Sequence, residues 1–302
     1  RTLSNVIKIH PDIVYVGKPH PMNGIPGAIY SVFNKRTVLI VDCDDHETSS
    51  NYFAHRWQKT TVSFFEKWVI RRAQYLSTNT ISTRNRIVQL GQPEEVVFYL
   101  PNGTDPRRFS EPKNSHLKKL TEEVNPSLVP IVSYIGSVDF RSHPVLLLVD
   151  AFTIVHKTHP KAKLMIVGAG KDMENLQKQI EARGLQDCVI ITGRIPGDSV
   201  HYYYLLSTLT VDPVYDNDAS RGRCPLKMLE AWITGTPFVS GDVGDRKLLS
   251  GNPEAAVLCE PGNAESLAGA IIRVLDDVLL RQKLIETGKQ RAQEFDWAKM
   301  VN

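Results

Sequence analysis

Five short runs rich in β-branched residues, PIVSYIG (130–136), AKLMIVG (162–168), CVIITG (188–193), LTVDPV (209–214) and PFVSGD (237–242), alternate with stretches of helical periodicity at 143–157, 172–183, 198–207 and 225–234. Strands separated by helices read as a parallel sheet, because parallel neighbours need a long crossover instead of a hairpin. Five strands of this kind make a full doubly wound α/β domain. A shorter version of the pattern lies upstream, with strands expected at DIVYVG (12–17), TVLIVD (37–42), YLSTN (75–79) and EVVFYLP (95–101). A helix is expected over roughly 51–73, with Phe53, Trp57, Phe64, Phe65, Trp68 and Val69 at near-helical spacing and assigned to the core. The polar stretch SEPKNSHLKKLTEEVNPS (110–127) reads as a linker holding one short helix, and a last amphipathic pattern covers 264–295.

Composition excludes several classes. A net charge of +3 with no concentrated basic stretch argues against a nucleic-acid partner. Cys43, Cys188, Cys224 and Cys259 have neither CxxC nor zinc-ligand spacing, so reduced thiols in a cytoplasmic protein are expected. No apolar run reaches the length of a membrane span. The chain opens at Arg1, inside what reads as a helix end and without an initiator Met, so residues upstream are expected.

The most informative segment is SRGRCPLKMLEAWITGTPF (220–238). Arg221, Arg223 and Lys227 surround the first turn of a helix, where the helix dipole favours negative charge. An anion among them resolves the conflict. Pro225 suits the first turn, Gly235 and Pro237 mark the end, and Leu226, Leu229 and Ile233 form a stripe expected to pack on the sheet. Glu230 flanks that stripe. Because the strand at 209–214 leads into this loop, the helix should start at the carboxyl edge of the sheet, where open α/β folds bind phosphates.

The segment CPLKMLEAWITGTPFVSGDVG resembles the donor-site signature of the family 4 (group 1) glycosyltransferases. LPNGTDPRRF (100–109) resembles their Pro-Asn-Gly-x-Asp hinge, and YIGSVDFRSHPVLLLVDAF (134–152) their first donor-domain strand–loop–helix. LMIVGAG (164–170), VIITGRIP (189–196), AVLCEPGNAESLAGAI (256–271) and EFDW (294–297) follow in the family's order. The resemblance implies a GT-B fold: two Rossmann-like doubly wound α/β domains facing a cleft, the N-terminal one incomplete at its start. The expected division is an acceptor-side domain at 1–109, a linker at 110–127, a nucleotide-sugar donor domain at 128–290 and a closing helix at 291–302 returning toward the first domain.

The same resemblance implies a retaining transferase that moves a sugar from a UDP- or GDP-sugar to a glycan, lipid-linked or small-molecule acceptor, with no metal or other cofactor. Glu230 matches the second Glu of the E-x7-E motif, which bonds the ribose hydroxyls. The first Glu falls at Gly222 and is absent, leaving Asp218 or another loop residue to replace it. The Arg and Lys that usually hold the diphosphate correspond to Ser137, next to Gly136, and to a position at or beside Arg141; Arg221 or Arg223 would supply the missing charge, and Arg141, Lys227 and the helix dipole would join them in stabilising the departing diphosphate. Pro225 and Leu226 begin the donor-site helix, and Gly193 and Arg194 match the base-binding edge, where Arg194 either stacks on the base or pairs at the surface. In VDCDDHE (41–47), Asp44, Asp45 or His46 stands where the family places a donor-sugar contact; the bland reading is a capping cluster, and Asp42–Asp44 can also be read as the metal motif of a different transferase class. Many members act on lipid-linked acceptors, so peripheral contact with the inner membrane face is an open expectation, although no basic amphipathic helix stands out.

Two other readings stand beside this one. Gly222 and Ser137, at positions that normally carry charge, would suit a non-catalytic nucleotide-sugar-binding subunit. IVGAGKDM half-matches a dinucleotide fingerprint, but its third small residue is Met173, which argues against an oxidoreductase.

Overall fold

The computed structural model describes residues 2–109 and 114–300. Arg1, residues 110–113 of the expected linker and residues 301–302 of the expected closing helix lie outside the described residues. The chain opens with α1 (Thr2–Ile9), β1 (Ile13–Val16), α2 (Pro21–Phe33), β2 (Val38–Cys43), α3 (Glu47–Ser50), α4 (Arg56–Arg72), β3 (Tyr75–Thr78), α5 (Ile81–Gln89) and β4 (Val97–Tyr99). It continues through α6 (Asn114–Val124), β5 (Ile131–Ile135), α7 (Val145–Thr158), β6 (Lys163–Val167), α8 (Met173–Ala182), β7 (Val189–Gly193), α9 (Val200–Leu206) and β8 (Leu209–Asp212). The remainder is α10 (Asp218–Arg221), α11 (Leu226–Thr234), β9 (Phe238–Gly241), α12 (Arg246–Ser250), β10 (Ala256–Cys259), α13 (Ala264–Asp276), α14 (Val278–Glu294) and α15 (Trp297–Met300).

Two compact units result. Unit 1 comprises Arg1–Asn102 and Asn217–Cys224; unit 2 comprises Gly103–Asp216 and Pro225–Asn302. The change of unit falls inside the Pro-Asn-Gly segment, and a second excursion carries eight residues around α10 into unit 1.

Unit 2 holds a fully parallel sheet in the order β10-β9-β8-β5-β6-β7. The chain winds outward from β5 in one direction, then returns to the other side at β8, so right-handed crossovers cover both faces. β5 is buried at every position. Its core unites Val132, Tyr134, Leu148, Phe152, Leu164, Ile166, Val211 and Ile271.

Unit 1 holds the parallel sheet β1-β2-β3-β4, which winds one way only. Such winding sends right-handed crossovers to a single face. Val16, Leu39, Val41, Leu76 and Val97 are buried on one side, whereas Ile13, Tyr15, Tyr75 and Phe98 on the other are exposed.

All nine expected strands are present; β10 is a tenth. Helix α2 was hidden by Gly24, Pro26 and Gly27, which read as breakers. Close packing overrides that propensity. A Cβ at Gly24 would lie 2.8 Å from Val69 Cγ2, and one at Gly27 2.9 Å from Val14 Cγ1, so the glycines let α2 press onto its neighbours. The pattern at 264–295 divides into α13 and α14, because Asp277 Oδ1 accepts the Leu280 N–H and starts a new helix.

The core assignment of the α4 aromatics is corrected. The buried positions are Val62, Glu66, Val69 and Ile70, while Trp57 and Phe64 are 66% and 63% exposed. Phe53, Phe65 and Trp68 are half-buried. The packed stripe lies on the opposite side of the helix from Trp57 and Phe64. In α11, likewise, Met228, Leu229, Ala231 and Trp232 are buried, whereas Leu226 is exposed and Ile233 half-buried.

Candidate functional site

In unit 2 the site grows from the point where the winding reverses, between β5 and β8. Gly136 follows β5 and Asp212 ends β8. Pro225 is buried and extended, at the N-cap position one residue outside the expected first turn, and α11 ends at Gly235 with φ 74°. This start places Lys227 and Glu230 on successive turns.

The Lys227 ammonium lies 3.0 Å from Asp212 Oδ1 and 4.4 Å from the centre of the Tyr134 ring. A Cβ at Gly136 would come within 2.8 Å of Lys227 Cε and 2.9 Å of its Nζ, so only glycine permits this approach. The other oxygen of Asp212 lies 2.9 Å from Arg246, whose side chain is 1% exposed. Burial opposes the charge on both Asp212 and Lys227. Lys227 and Arg246 nevertheless hold the Asp212 carboxyl below its usual range, and Asp212 holds the Lys227 ammonium above its own.

Glu230 accepts a hydrogen bond from the buried Tyr204 hydroxyl at 3.0 Å. Burial pushes its carboxyl up, against the opposing pull of Tyr204, Arg108 and Lys227. Ser137 and Arg141 are exposed in the loop after β5. Gly193, with φ 70°, ends β7 at the same carboxyl edge of the sheet, and Arg194 beside it is exposed.

The half-matched dinucleotide fingerprint has a structural cause. A Cβ at Gly168 would stand 1.9 Å from Gly136 O, and one at Gly170 1.9 Å from Val138 O. These glycines let the loop after β6 run against the loop after β5, where the Val138 N–H donates to Ala169 O at 3.2 Å.

The other expected residues belong to unit 1. Asp218, Arg221 and Arg223 lie on the 217–224 excursion, so Arg221 and Arg223 are in a different unit from Lys227. Asn217 caps α10 by accepting the Ser220 N–H at 2.9 Å, and Asp218 faces Arg221 at 3.8 Å. Beside this segment a cavity of about 390 Å³ is lined by His46, Thr83, Arg86, Gln89, Asp218 and Gly222 among others. Gly222 lines this cavity at the position where the resemblance places a glutamate, and a Cβ there would sit tightly, 3.2 Å from Asp218 O and 3.5 Å from Thr83 Oγ1. His46 Nδ1 lies 2.8 Å from Ser49 Oγ; burial, then the Arg86 charge, holds the imidazole below its usual pKa and therefore neutral at pH 7. Arg86 pairs at 3.0 Å with the buried Glu66, which also accepts from Thr48.

Asp44 and Asp45 surround Lys18, at 3.2 and 2.9 Å. Burial raises the Asp44 carboxyl. This carboxylate pair is therefore occupied by an ammonium. Among the described residues there is no cluster of three or more His, Cys, Asp or Glu able to hold a metal ion. No described helix is long and apolar enough to cross a membrane. None of the four cysteines takes part in a disulfide.

The family profile described as "Glycosyl transferases group 1" matches residues 119–291, more than half of the chain. The chain belongs to the group 1 glycosyl transferases. It is 25% identical over 228 residues to a 2-deoxystreptamine glucosyltransferase of Streptomyces kanamyceticus, covering 74% of this chain and 56% of that protein. It is 25% identical over 242 residues to a glycogen synthase of Mycobacterium tuberculosis, covering 78% and 54%. The chain thus spans about half the length of these curated relatives. Among solved structures, Anabaena Alr3699/HepE in complex with UDP matches with a TM-score of 0.81 at 19% identity, covering 99% of this chain and 79% of that one. Sucrose-phosphate synthase from Thermosynechococcus elongatus matches with a TM-score of 0.77 at 19% identity, covering 99% and 73%. The fold of this group 1 glycosyl transferase is therefore GT-B.

Sequence reasoning placed Lys227 and Glu230 but missed their partners Asp212, Arg246, Tyr134 and Tyr204. Asp212 alone carried a signal, as an acid ending a short strand that is otherwise free of charge.

Proposed function

We propose that the chain is the catalytic part of a family 4 retaining glycosyltransferase, moving a sugar from a UDP- or GDP-sugar to a hydroxyl of a glycan, lipid or small-molecule acceptor. The observation that carries this reading is the placement of Lys227 and Glu230 on α11, beside Gly136 at the winding reversal of unit 2. Open α/β sheets bind nucleotides at that point. A diphosphate there would meet the Lys227 ammonium and the N-terminal turn of α11, which stabilise the charge that builds on the leaving group without a metal. Arg141 and Ser137 border the same loop, and Glu230 would take the ribose hydroxyls. Gly193 and Arg194 would border the base. HepE complexes with UDP and with UDP-glucose favour uracil as the base. In unit 1, the cavity at His46, Asp218 and Gly222 would take a sugar hydroxyl face: a neutral imidazole and an exposed carboxylate suit neutral polyols.

The test is calorimetric titration of UDP, GDP and NAD into the chain and its Glu230→Ala variant. Loss of a charged hydrogen bond, about 1.5–3 kcal/mol, should weaken nucleoside diphosphate binding about tenfold to a hundredfold. Tight NAD binding, or diphosphate binding indifferent to Glu230, would overturn the reading.

A specific observation also favours peripheral membrane contact. The outward face of α4 carries exposed Trp57 and Phe64 with half-buried Trp68, and Arg56, Lys67, Arg71 and Arg72 lie on the same helix. Its one acid, Glu66, is buried against Arg86. Aromatics bordered by cations suit a helix lying in the headgroup layer of an anionic bilayer.

A further inference from the structure

We propose that Arg246 is a positioning residue for the anion site, acting through Asp212 to keep the charge of Lys227 available to a bound diphosphate. The inference rests on the donor-site reading above and adds a residue to it.

Arg246 opens α12, after β9, and is 1% exposed. It is too buried to meet a ligand itself. Its Nη2 lies 2.9 Å from Asp212 Oδ2, and its Nη1 donates to Val243 O at 3.1 Å. Asp212 sits between two cations, with Lys227 on one oxygen and Arg246 on the other.

The charge balance gives the arrangement its meaning. A pair of Lys227 and Asp212 alone would be neutral, and an incoming diphosphate would have to compete with a fully available carboxylate for the ammonium. A carboxylate shared with a second, buried cation leaves the trio with one net positive charge. That surplus can be expressed only at Lys227, which is half-buried, whereas Arg246 is sealed. On its other side Lys227 is confined by the Tyr134 ring and by Gly136, so its ammonium stays at the end of β5.

A purely structural link between β8 and α12 would not require an arginine. Burying a guanidinium is costly, and apolar residues of similar volume commonly hold such positions as well or better. Here Arg246 Nε is buried with no hydrogen-bond partner among the described residues, a cost that an apolar side chain would avoid.

The experiment compares affinity for a nucleoside diphosphate, UDP or GDP, with affinity for the corresponding nucleoside, uridine or guanosine. Calorimetry is run on the unmodified chain and on Arg246→Lys, Arg246→Gln and Arg246→Met, with thermal melts confirming that each folds. The ratio of the two affinities isolates the phosphate contribution. Arg246→Gln and Arg246→Met should cut that ratio about tenfold while changing nucleoside affinity by less than about threefold, and Arg246→Lys should retain most of it. Gln removes the charge while keeping a polar side chain, so it decides the matter if Met prevents folding. An unchanged ratio, or a parallel loss of nucleoside and diphosphate affinity, overturns the inference while leaving the donor-site reading intact. An unmodified chain that binds no nucleoside diphosphate overturns both.

Discussion

Tyr204 and Glu230, 26 residues apart, are joined by one hydrogen bond of 3.0 Å in which the phenol donates and the carboxylate accepts. Tyr204 is fully buried and its phenol is pushed well above its usual pKa, first by burial and then by the Glu230 charge. Tyr204→Phe removes the one donor to the Glu230 carboxylate among the described residues and should destabilise unit 2 by about 1–2 kcal/mol, read by denaturant midpoint at constant m-value.

Glu230→Gln should separate stability from binding. Burial raises the Glu230 pKa, so the folded state holds its proton more tightly than the unfolded chain does, and stability falls as pH rises through the folded value. A neutral amide escapes that loss and still accepts from Tyr204. The melting temperature at pH 7 should hold or rise while nucleoside diphosphate affinity drops about tenfold. A parallel fall in both would contradict this assignment.

His46 has the opposite sense. Its folded pKa is lowered, so between that value and the unfolded value of about 6.5 the unfolded chain binds the extra proton. Stability should therefore decline as pH drops below about 6.5, and His46→Asn should flatten that part of the profile in a pH series of thermal melts. An unchanged slope would rule His46 out as its source.

Two glycines should respond with opposite signs. Gly168→Ala drives a Cβ to 1.9 Å from the Gly136 carbonyl and should cost about 3 kcal/mol or more, enough to threaten folding of unit 2. Gly269 lies inside α13 with nothing within 4 Å of an added Cβ. Gly269→Ala should stabilise by about 0.5–1 kcal/mol through helix propensity alone.

The α4 surface is tested with vesicles. The chain should co-sediment with phosphatidylglycerol vesicles and not with phosphatidylcholine, and release should follow added salt. Trp57→Glu with Phe64→Glu should abolish sedimentation without lowering the melting temperature, because both side chains are exposed. Equal binding to neutral vesicles would remove the electrostatic part of the argument.

Periodicity revealed what local chemistry controls. The strands of both units and the placement of Lys227 and Glu230 on one helix follow from apolar runs and turn residues at fixed spacing. Helix α2 was illegible because Gly24 and Gly27 serve side chains distant in sequence, Val69 and Val14. The aromatics of α4 misled because spacing identifies a stripe but not which side of the helix meets the sheet. Arg246 offered no signal, since its role depends on a carboxylate 34 positions earlier. The membership of 217–224 in unit 1 depends in the same way on non-local contacts.

The one-way winding of the unit 1 sheet has a practical consequence. Ile13, Tyr15, Tyr75 and Phe98 form a wall of apolar side chains facing water, and parallel sheets are ordinarily covered on both sides. In dilute buffer this chain should light up a hydrophobic dye while fully native. Its solubility will be set by whatever masks that wall.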